Sequence, residues 1–123
     1  MLGVIHYLHT QGVAHRDLKL DNFLLDAEFN LKLIDYGMAA PTEGRDGSGL
    51  LRTVLGTRGF QAPEVINLSI ESYRGCIVDL FALGVILFYM YKRAAPFSEA
   101  RPDDPRYRFI VQNRTDIFWA SHD

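Results

Sequence analysis

The sequence predicts a mainly helical fold with a few short β-strands, on three observations. Residues 77–91 are apolar almost all round, which is typical of a helix buried on most of its sides. Residues 2–11 repeat apolar side chains every three or four positions, which predicts an amphipathic helix. Two short apolar runs, residues 23–25 and 31–34, flank a polar turn and are typical of strands.

The remaining segments follow from residue types that begin, end or interrupt regular structure. Gly12 is suited to end the first helix, and residues 13–14 continue as a short extended piece. Residues 37–59 are rich in Gly, Thr, Arg and Pro, which predicts a long loop of the kind that often carries function. Pro63 is suited to open a short helix because its missing N–H costs nothing there.

The C-terminal part is predicted to hold a second loop and one more helix. Pro96 ends the helical region, and residues 101–105 form the loop. Asp104 and Pro105 suit the first positions of a helix, and the apolar side chains within residues 107–111 predict that helix.

Composition bounds the function classes. The 123 residues, 48% of them hydrophobic, suffice for one domain with a buried core. A net charge of -2 lacks the basic excess of nucleic-acid binders, so we expect no nucleic-acid partner. The apolar run of residues 80–91 is shorter than the roughly 20 residues of a membrane span, and we expect none. Cys76 is the single cysteine, which favours a reducing compartment, and we expect a cytoplasmic protein.

Two histidines on the first helix offer a weak metal signal. His6 and His9 lie one turn apart, but no third ligand stands at a useful spacing. We therefore interpret both as partly exposed helix histidines.

Polar residues cluster in three short motifs. Residues 15–22 read His-Arg-Asp-Leu-Lys-Leu-Asp-Asn and lie between two short predicted strands. The sequence Asp-Tyr-Gly at residues 35–37 closes the next strand, and Ala-Pro-Glu at residues 62–64 closes the long loop.

The first two motifs suggest a metal–phosphate site. The carboxylates of Asp17 and Asp35 and the amide oxygen of Asn22 are hard ligands of the type that Mg²⁺ prefers. Lys19 is a nearby point charge that can meet a phosphate. One carboxylate can hold the metal while the other accepts a proton from a hydroxyl nucleophile. The alternative is that these charges are solvated loop residues that form local turns.

The three motifs resemble those of the eukaryotic protein kinases. Residues 15–22 resemble the catalytic loop H-R-D-L-K-x-x-N, residues 35–37 resemble D-F-G, and residues 62–64 match A-P-E, in the order of that family. Lys19 and Thr57 resemble the serine/threonine-specific branch.

The loop sequence narrows the resemblance and sets its extent. Residues 51–57 resemble the activation loop of the calcium/calmodulin-dependent and AMP-activated kinase group. The resemblance implies a partial C-terminal lobe of the protein-kinase-like fold, from late in the family's helix αE to about its helix αG, with the N-terminal lobe absent. It divides the chain, residues 1–123, into the parts that follow. These are a catalytic loop at 13–25, a metal-binding motif at 35–37, an activation segment at 35–64 and the family's helix αF at about 77–91.

The resemblance implies the central roles of the site. Asp17 would orient and deprotonate the substrate hydroxyl, and Lys19 would steady the γ-phosphate of ATP. Asn22 and Asp35 would hold Mg²⁺, and Thr57 would line the loop on the substrate side.

It also implies supporting roles. Arg16 would pair with Thr53 once an upstream activating kinase has phosphorylated that residue. His15 would pack under the turn that contains Gly37. Asp79, alone in an apolar helix, would accept backbone N–H bonds from the catalytic loop, because a buried carboxylate needs donors.

The sequence departs from the family in two ways. Tyr36 replaces the usual Phe, and its hydroxyl needs a partner if it is buried. The Gly-rich loop, lysine and glutamate of the N-terminal lobe do not precede Met1, and the arginine that would pair with Glu64 is not found before Asp123.

We therefore expect ATP-dependent phosphorylation of serine or threonine on protein substrates, by this chain as the catalytic half of a longer kinase. Two alternatives stay open. The chain is a catalytically inactive half-domain, either a binding or regulatory module or a non-functional gene fragment, or it is a subunit that gains an N-terminal lobe in trans. Alone, the chain is expected to show weak or no kinase activity, because its ATP site would lack the N-terminal lobe that covers the nucleotide in this family.

Overall fold

The computed structural model describes residues 1–67 and 69–123. Within them, helices hold far more residues than strands, and the strands form two separate two-stranded pairs rather than a closed sheet. The mainly helical prediction is therefore confirmed. The helices are α1 (Leu2–Thr10), α2 (Pro63–Ile66), α3 (Gly75–Lys92), α4 (Tyr107–Val111) and α5 (Thr115–Ala120). The strands are β1 (Val13–Ala14), β2 (Phe23–Leu25), β3 (Leu31–Leu33) and β4 (Ala40–Pro41).

The start of the chain follows the prediction closely. Helix α1 ends one residue before the predicted boundary, and Gly12 follows with a φ of 75°, which favours glycine. Strand β1 then pairs antiparallel with β4, with Val13 opposite Pro41. Strand β4 lies within the predicted long loop and was not predicted, because a two-residue strand has no periodicity to detect.

Strands β2 and β3 form an antiparallel hairpin in which Phe23 lies opposite Leu33. The Asp26 carboxylate closes the turn by accepting the backbone N–H groups of Glu28 and Asn30, at 3.0 and 2.8 Å. The same register continues beyond the strands, where the Ile34 N–H donates to the Asn22 carbonyl. The end of the first polar motif, at Asn22, therefore lies next to the start of the second motif, at Asp35.

Helix α3 is the hub of the fold. Each of three hydrophobic clusters contains residues of this helix, and together they join it to α1, to the hairpin, to α2 and to α4 and α5. At its start, a Cβ on Gly75 would lie 2.5 Å from the Cβ of Ala14. A side chain at position 75 would therefore push α3 away from β1.

The expectation that α3 is buried on most sides is wrong. It is buried along one face but exposes large apolar side chains on the other, among the described residues. The exposed side chains are Ile77, Leu80, Leu87, Met90 and Tyr91. The reason is that α1, the hairpin and the C-terminal helices all pack on one side of α3. Its length and composition alone would also suit a membrane span, a test that core helices of soluble proteins pass as well.

Asp104 organises the loop between α3 and α4. Its buried carboxylate accepts four backbone N–H groups, at 2.9 to 3.1 Å. The donors are Ser98, Glu99, Arg106 and Tyr107. Burial alone would raise the pKa of Asp104, but these four donors outweigh it and hold the pKa below the ordinary 3.8.

We expect Asp104→Ala to destabilise the fold by about 2 kcal/mol at neutral pH, because four loop amides lose their acceptor. A carboxyl whose folded pKa is depressed stabilises above its unfolded pKa and loses that contribution as pH falls through the folded pKa. The difference between wild type and Asp104→Ala should therefore shrink below about pH 4. Urea unfolding at pH 7 and pH 3 measures it, with the exposed neighbour Asp103→Ala as control. A difference that stays constant between the two pH values would contradict this.

Candidate functional site

The Asp79 carboxylate is the anchor beneath the site. Asp79 is 1% exposed and accepts the backbone N–H groups of His15 and Arg16, both at 2.8 Å. A third contact of 2.8 Å joins it to Nε2 of His9, which must carry the proton because a carboxylate only accepts. Three N–H donors are the kind of compensation that a buried carboxylate needs.

This carboxylate ties two other segments to α3. His9 lies in the last turn of α1, and residues 15–16 begin the first polar motif. His9 was interpreted as a partly exposed helix histidine, and its bond to Asp79 was missed by sequence reasoning. The signal in the sequence was the lone acid in an apolar helix, because a buried carboxylate needs hydrogen-bond donors. One turn earlier on α3, burial and the Asp79 charge raise the pKa of the Cys76 thiol.

His15 joins the first polar motif to the second. Its ring is fully buried, and Nε2 donates to the Ile34 carbonyl at 3.0 Å while Nδ1 accepts the Asp17 N–H at 3.2 Å. The ring also meets Tyr36 edge-on, with 5.1 Å between ring centroids. Tyr36 is 46% exposed, so water can solvate the hydroxyl that the sequence left without a partner.

A carboxylate, a hydroxyl and an ammonium group meet at Asp17. Asp17 is 7% exposed, and its Oδ1 accepts the hydroxyl of Thr57 at 2.6 Å. Lys19 Nζ donates to the same hydroxyl oxygen at 3.2 Å and lies 3.9 Å from Asp17 Oδ2. Asn22 Nδ2 donates to the Asp17 carbonyl at 2.8 Å, and this bond stabilises the conformation of residues 17–22. The structure thus brings four of the sequence-predicted site residues into one cluster.

Asn22 and Asp35 offer oxygen atoms on the adjoining side. Asn22 uses its amide nitrogen for the Asp17 carbonyl, and its Oδ1 accepts no bond from any described residue. Asp35 is exposed and takes a left-handed φ of 63°, and among the described residues its carboxylate accepts only the Gly37 N–H, at 3.4 Å. The bond from the Ile34 N–H to the Asn22 carbonyl, 2.9 Å, keeps the two residues close.

These oxygen donors fit a hard divalent cation. Within residues 1–67 and 69–123, no three His, Cys, Asp or Glu side chains lie together as a complete metal cage. One carboxylate and one amide oxygen suit Mg²⁺, which commonly takes few protein ligands and completes its shell with water and phosphate oxygens.

Arg16 faces a separate, basic cavity. Its backbone is left-handed, with φ 65°, and its Nε donates to the Met38 carbonyl at 2.8 Å. Its Nη1 donates to the Tyr73 hydroxyl at 3.0 Å. The cavity beside it has a volume of about 380 Å³. Arg16, Arg45, Arg52 and Thr53 line it together with Asp46, which pairs with Arg52 at 3.6 Å.

Glu64 lies away from this cluster, in the first turn of α2. It is half-buried and forms no ion pair with any Lys, Arg or His of the described residues. It lines a groove of about 340 Å³ together with Tyr107. Burial, and then the Glu64 charge, raise the pKa of the Tyr107 hydroxyl.

Known proteins resemble this chain along nearly its whole length. The family model described as "Protein kinase domain" matches residues 1–122. The chain is similar to the CBL-interacting serine/threonine-protein kinase 26 of Arabidopsis thaliana, with 43% identity over 100 residues, or 81% of this chain and 22% of that protein. It is also similar to the CBL-interacting protein kinase 31 of Oryza sativa subsp. japonica, with 43% identity over 99 residues, or 80% of this chain and 22% of that protein. The chain therefore spans 22% of the length of each relative.

We expect Asp79→Asn to cost about 2 kcal/mol of unfolding free energy, because the amide nitrogen would face an N–H donor and leave it unsatisfied. Hydrogen exchange at the His15 and Arg16 amides should accelerate with it. Chemical unfolding and amide exchange measure the two effects, and Asp103→Asn on an exposed loop is the matched control. If both amides keep their wild-type exchange rates, the anchoring role of Asp79 is wrong.

Proposed function

Because this chain belongs to the protein kinase family, we propose that it is the catalytic half of a kinase that phosphorylates serine or threonine on protein substrates. The resemblance to the serine/threonine kinases of the calcium/calmodulin-dependent and AMP-activated group is confirmed by the family match and by the relatives. The reaction assigned to the chain's own residues is the proposal.

The hydrogen bond between Thr57 and Asp17 is the observation on which the proposal depends. Asp17 already accepts a side-chain hydroxyl at 2.6 Å, in the geometry that a general base requires of a substrate hydroxyl. In the proposed reaction, a substrate serine or threonine takes the place of the Thr57 hydroxyl on Oδ1. Asp17 orients that hydroxyl and accepts its proton as the oxygen bonds to the γ-phosphorus of ATP, while the bond from that phosphorus to the β-phosphate oxygen breaks and ADP leaves.

Neighbouring groups support this role for Asp17. Its N–H is bound to His15 and its carbonyl to Asn22, so the main chain on both sides of the carboxylate is held. Lys19, which contacts both Asp17 and Thr57, can steady the transferred phosphoryl group once substrate displaces Thr57. Thr57 then remains as a lining residue of the loop on the substrate side.

Asn22 Oδ1 and the Asp35 carboxylate would hold Mg²⁺ in this proposal. An ion held by these two residues would supply positive charge that offsets the negative charge of the phosphates. The hairpin register and the bond from His15 to the Ile34 carbonyl keep these two ligands at a set position relative to Asp17. These hydrogen bonds therefore limit how far Asn22 and Asp35 can move relative to Asp17.

Thr53 is the proposed site of activating phosphorylation by an upstream kinase. It is exposed, and it lines the same cavity as Arg16, Arg45 and Arg52. A phosphothreonine dianion placed there would meet guanidinium groups, which bind phosphate oxygens with charge-assisted hydrogen bonds. Because Arg16 directly precedes Asp17, a phosphate bound by its side chain would link the activation segment to the catalytic loop. The single cysteine, Cys76, agrees with the cytoplasmic location that is part of this proposal.

We expect Asp17→Asn in the full-length protein to lower kcat by about a hundredfold or more, since an amide cannot accept the proton. ATP affinity should stay within about twofold, because Asp17 is not among the proposed metal ligands. Peptide phosphorylation and nucleotide binding are measured side by side. Asp21→Asn, an exposed acid in the same loop, is the matched control. Equal turnover by Asp17→Asn and wild type would refute the assignment.

We expect Thr53→Ala to lower the activity of the protein treated with its upstream kinase on the order of tenfold, the equivalent of about one charge-assisted hydrogen bond. The untreated proteins should differ far less. The exposed Thr115→Ala serves as the control for loss of a threonine hydroxyl. A treated Thr53→Ala protein as active as treated wild type would exclude Thr53 as the activating site.

A further inference from the structure

Tyr73 stands between the activation segment and the catalytic loop. It is 6% exposed, and its ring belongs to the hydrophobic cluster formed with Leu51, Val65 and Val78. Its hydroxyl accepts Nη1 of Arg16 at 3.0 Å and donates to the carbonyl of Thr53. One buried hydroxyl therefore contacts both partners of the proposed phosphate switch.

The backbone of Tyr73 is held to the same segment. Its N–H donates to the Leu51 carbonyl and its carbonyl accepts the Leu51 N–H, both at 2.8 Å, in an isolated antiparallel bridge. This bridge lies two residues before Thr53. The hydroxyl thus has a defined position relative to the activation segment, set by backbone bonds and by burial of the ring.

The bond to Tyr73 fixes the direction of the Arg16 guanidinium. Arg16 has five N–H donors in one plane. One, on Nε, is used by the Met38 carbonyl, and one, on Nη1, by the Tyr73 hydroxyl. Two bonds from different atoms of a planar group set its orientation, and the remaining donors are left for the cavity that Arg45 and Arg52 share.

We propose that Tyr73 is a positioning residue, whose hydroxyl holds the Arg16 guanidinium ready for the phosphate of phosphorylated Thr53. This inference rests on the proposed function and adds to it a residue that regulates the response to phosphorylation of Thr53. A guanidinium that is already oriented loses less rotational freedom when it binds phosphate, so binding is tighter. The same hydroxyl holds the Thr53 carbonyl, which keeps residue 53 beside the cavity.

A purely structural tyrosine would act differently. Its ring would fill the cluster and its hydroxyl would be replaceable at a small, uniform cost. A positioning hydroxyl instead changes how strongly phosphorylation of Thr53 affects the protein, while Tyr73→Phe keeps the ring and the backbone bridge. The phosphorylation effect therefore separates the two roles.

The test compares full-length protein carrying phosphothreonine at position 53, incorporated during synthesis, with the unmodified protein. In wild type, phosphorylation should lower the unfolding equilibrium constant about tenfold, from new bonds to guanidinium groups. In Tyr73→Phe this effect should fall to about threefold or less. The control is Tyr107→Phe, a similarly buried ring whose hydroxyl binds no described residue, and it should keep the full effect.

A double-mutant cycle with Arg16→Gln shows whether the Tyr73 hydroxyl acts through Arg16. Tyr73→Phe should cost about threefold to tenfold in kcat of the phosphorylated protein, and less than about twofold when Arg16 is already replaced. The KM values for ATP and peptide should stay unchanged.

Each result decides a different statement. An equal phosphorylation effect in wild type and Tyr73→Phe, or an equal cost of Tyr73→Phe with and without Arg16, overturns the role of Tyr73. Absence of any phosphorylation effect in wild type overturns the Thr53–Arg16 pairing and the role of Tyr73 with it. A wild-type protein that shows the stability pattern but transfers no phosphate supports the role of Tyr73 and overturns the proposed catalysis.

Discussion

The buried carboxylate of Asp79 anchors the start of the first polar motif, from which the candidate site is built. Arg16 holds a left-handed backbone, a conformation that costs a non-glycine residue about 1–3 kcal/mol unless its surroundings enforce it. Asp79 enforces it by accepting the N–H groups of both His15 and Arg16. Residue 16 then turns the chain so that Asp17 and Lys19 point to one side while the Arg16 side chain points into the basic cavity. The Asp79 carboxylate thus fixes a turn that places the Asp17 cluster and the proposed phosphate cavity on different sides of residue 16.

The apolar character of α3 makes this arrangement possible. The helix contributes to all three hydrophobic clusters, so the elements that carry site residues are all packed against the same rigid support. An acid in such a helix is costly unless donors reach it, and the donors come from α1 and from the loop after β1. A segment that packs over Asp79 must therefore offer hydrogen-bond donors to its carboxylate, and residues 15–16 do so with their backbone N–H groups.

One backbone hydrogen bond and one side-chain hydrogen bond connect the first polar motif to the segment that carries Asp35. The β2–β3 register places Asn22 beside Ile34, and Nε2 of His15 donates a hydrogen bond to the Ile34 carbonyl. The segments that carry Asn22, Asp35 and Asp17 are consequently parts of one hydrogen-bonded frame. Of the side chains with proposed roles, Asp35 is exposed and Lys19 is partly exposed, whereas Asp17 and Asn22 are buried.

Local patterns in the sequence predicted α1 to α4, the β2–β3 hairpin and the identity of the chemical groups, but they predicted neither β4 nor α5. Helix spacing, a glycine after α1, a proline at the start of α2 and three short polar motifs act over a few residues, so the amino-acid types alone predict them. Tertiary structure decided which distant groups meet. His9 and Asp79 are 70 residues apart and Arg16 and Tyr73 are 57 apart, and their pairing depends on how α1, the loops and α3 pack. The exposed face of α3 has the same origin, since apolar composition predicts burial but only the packing of neighbouring elements determines which face is covered.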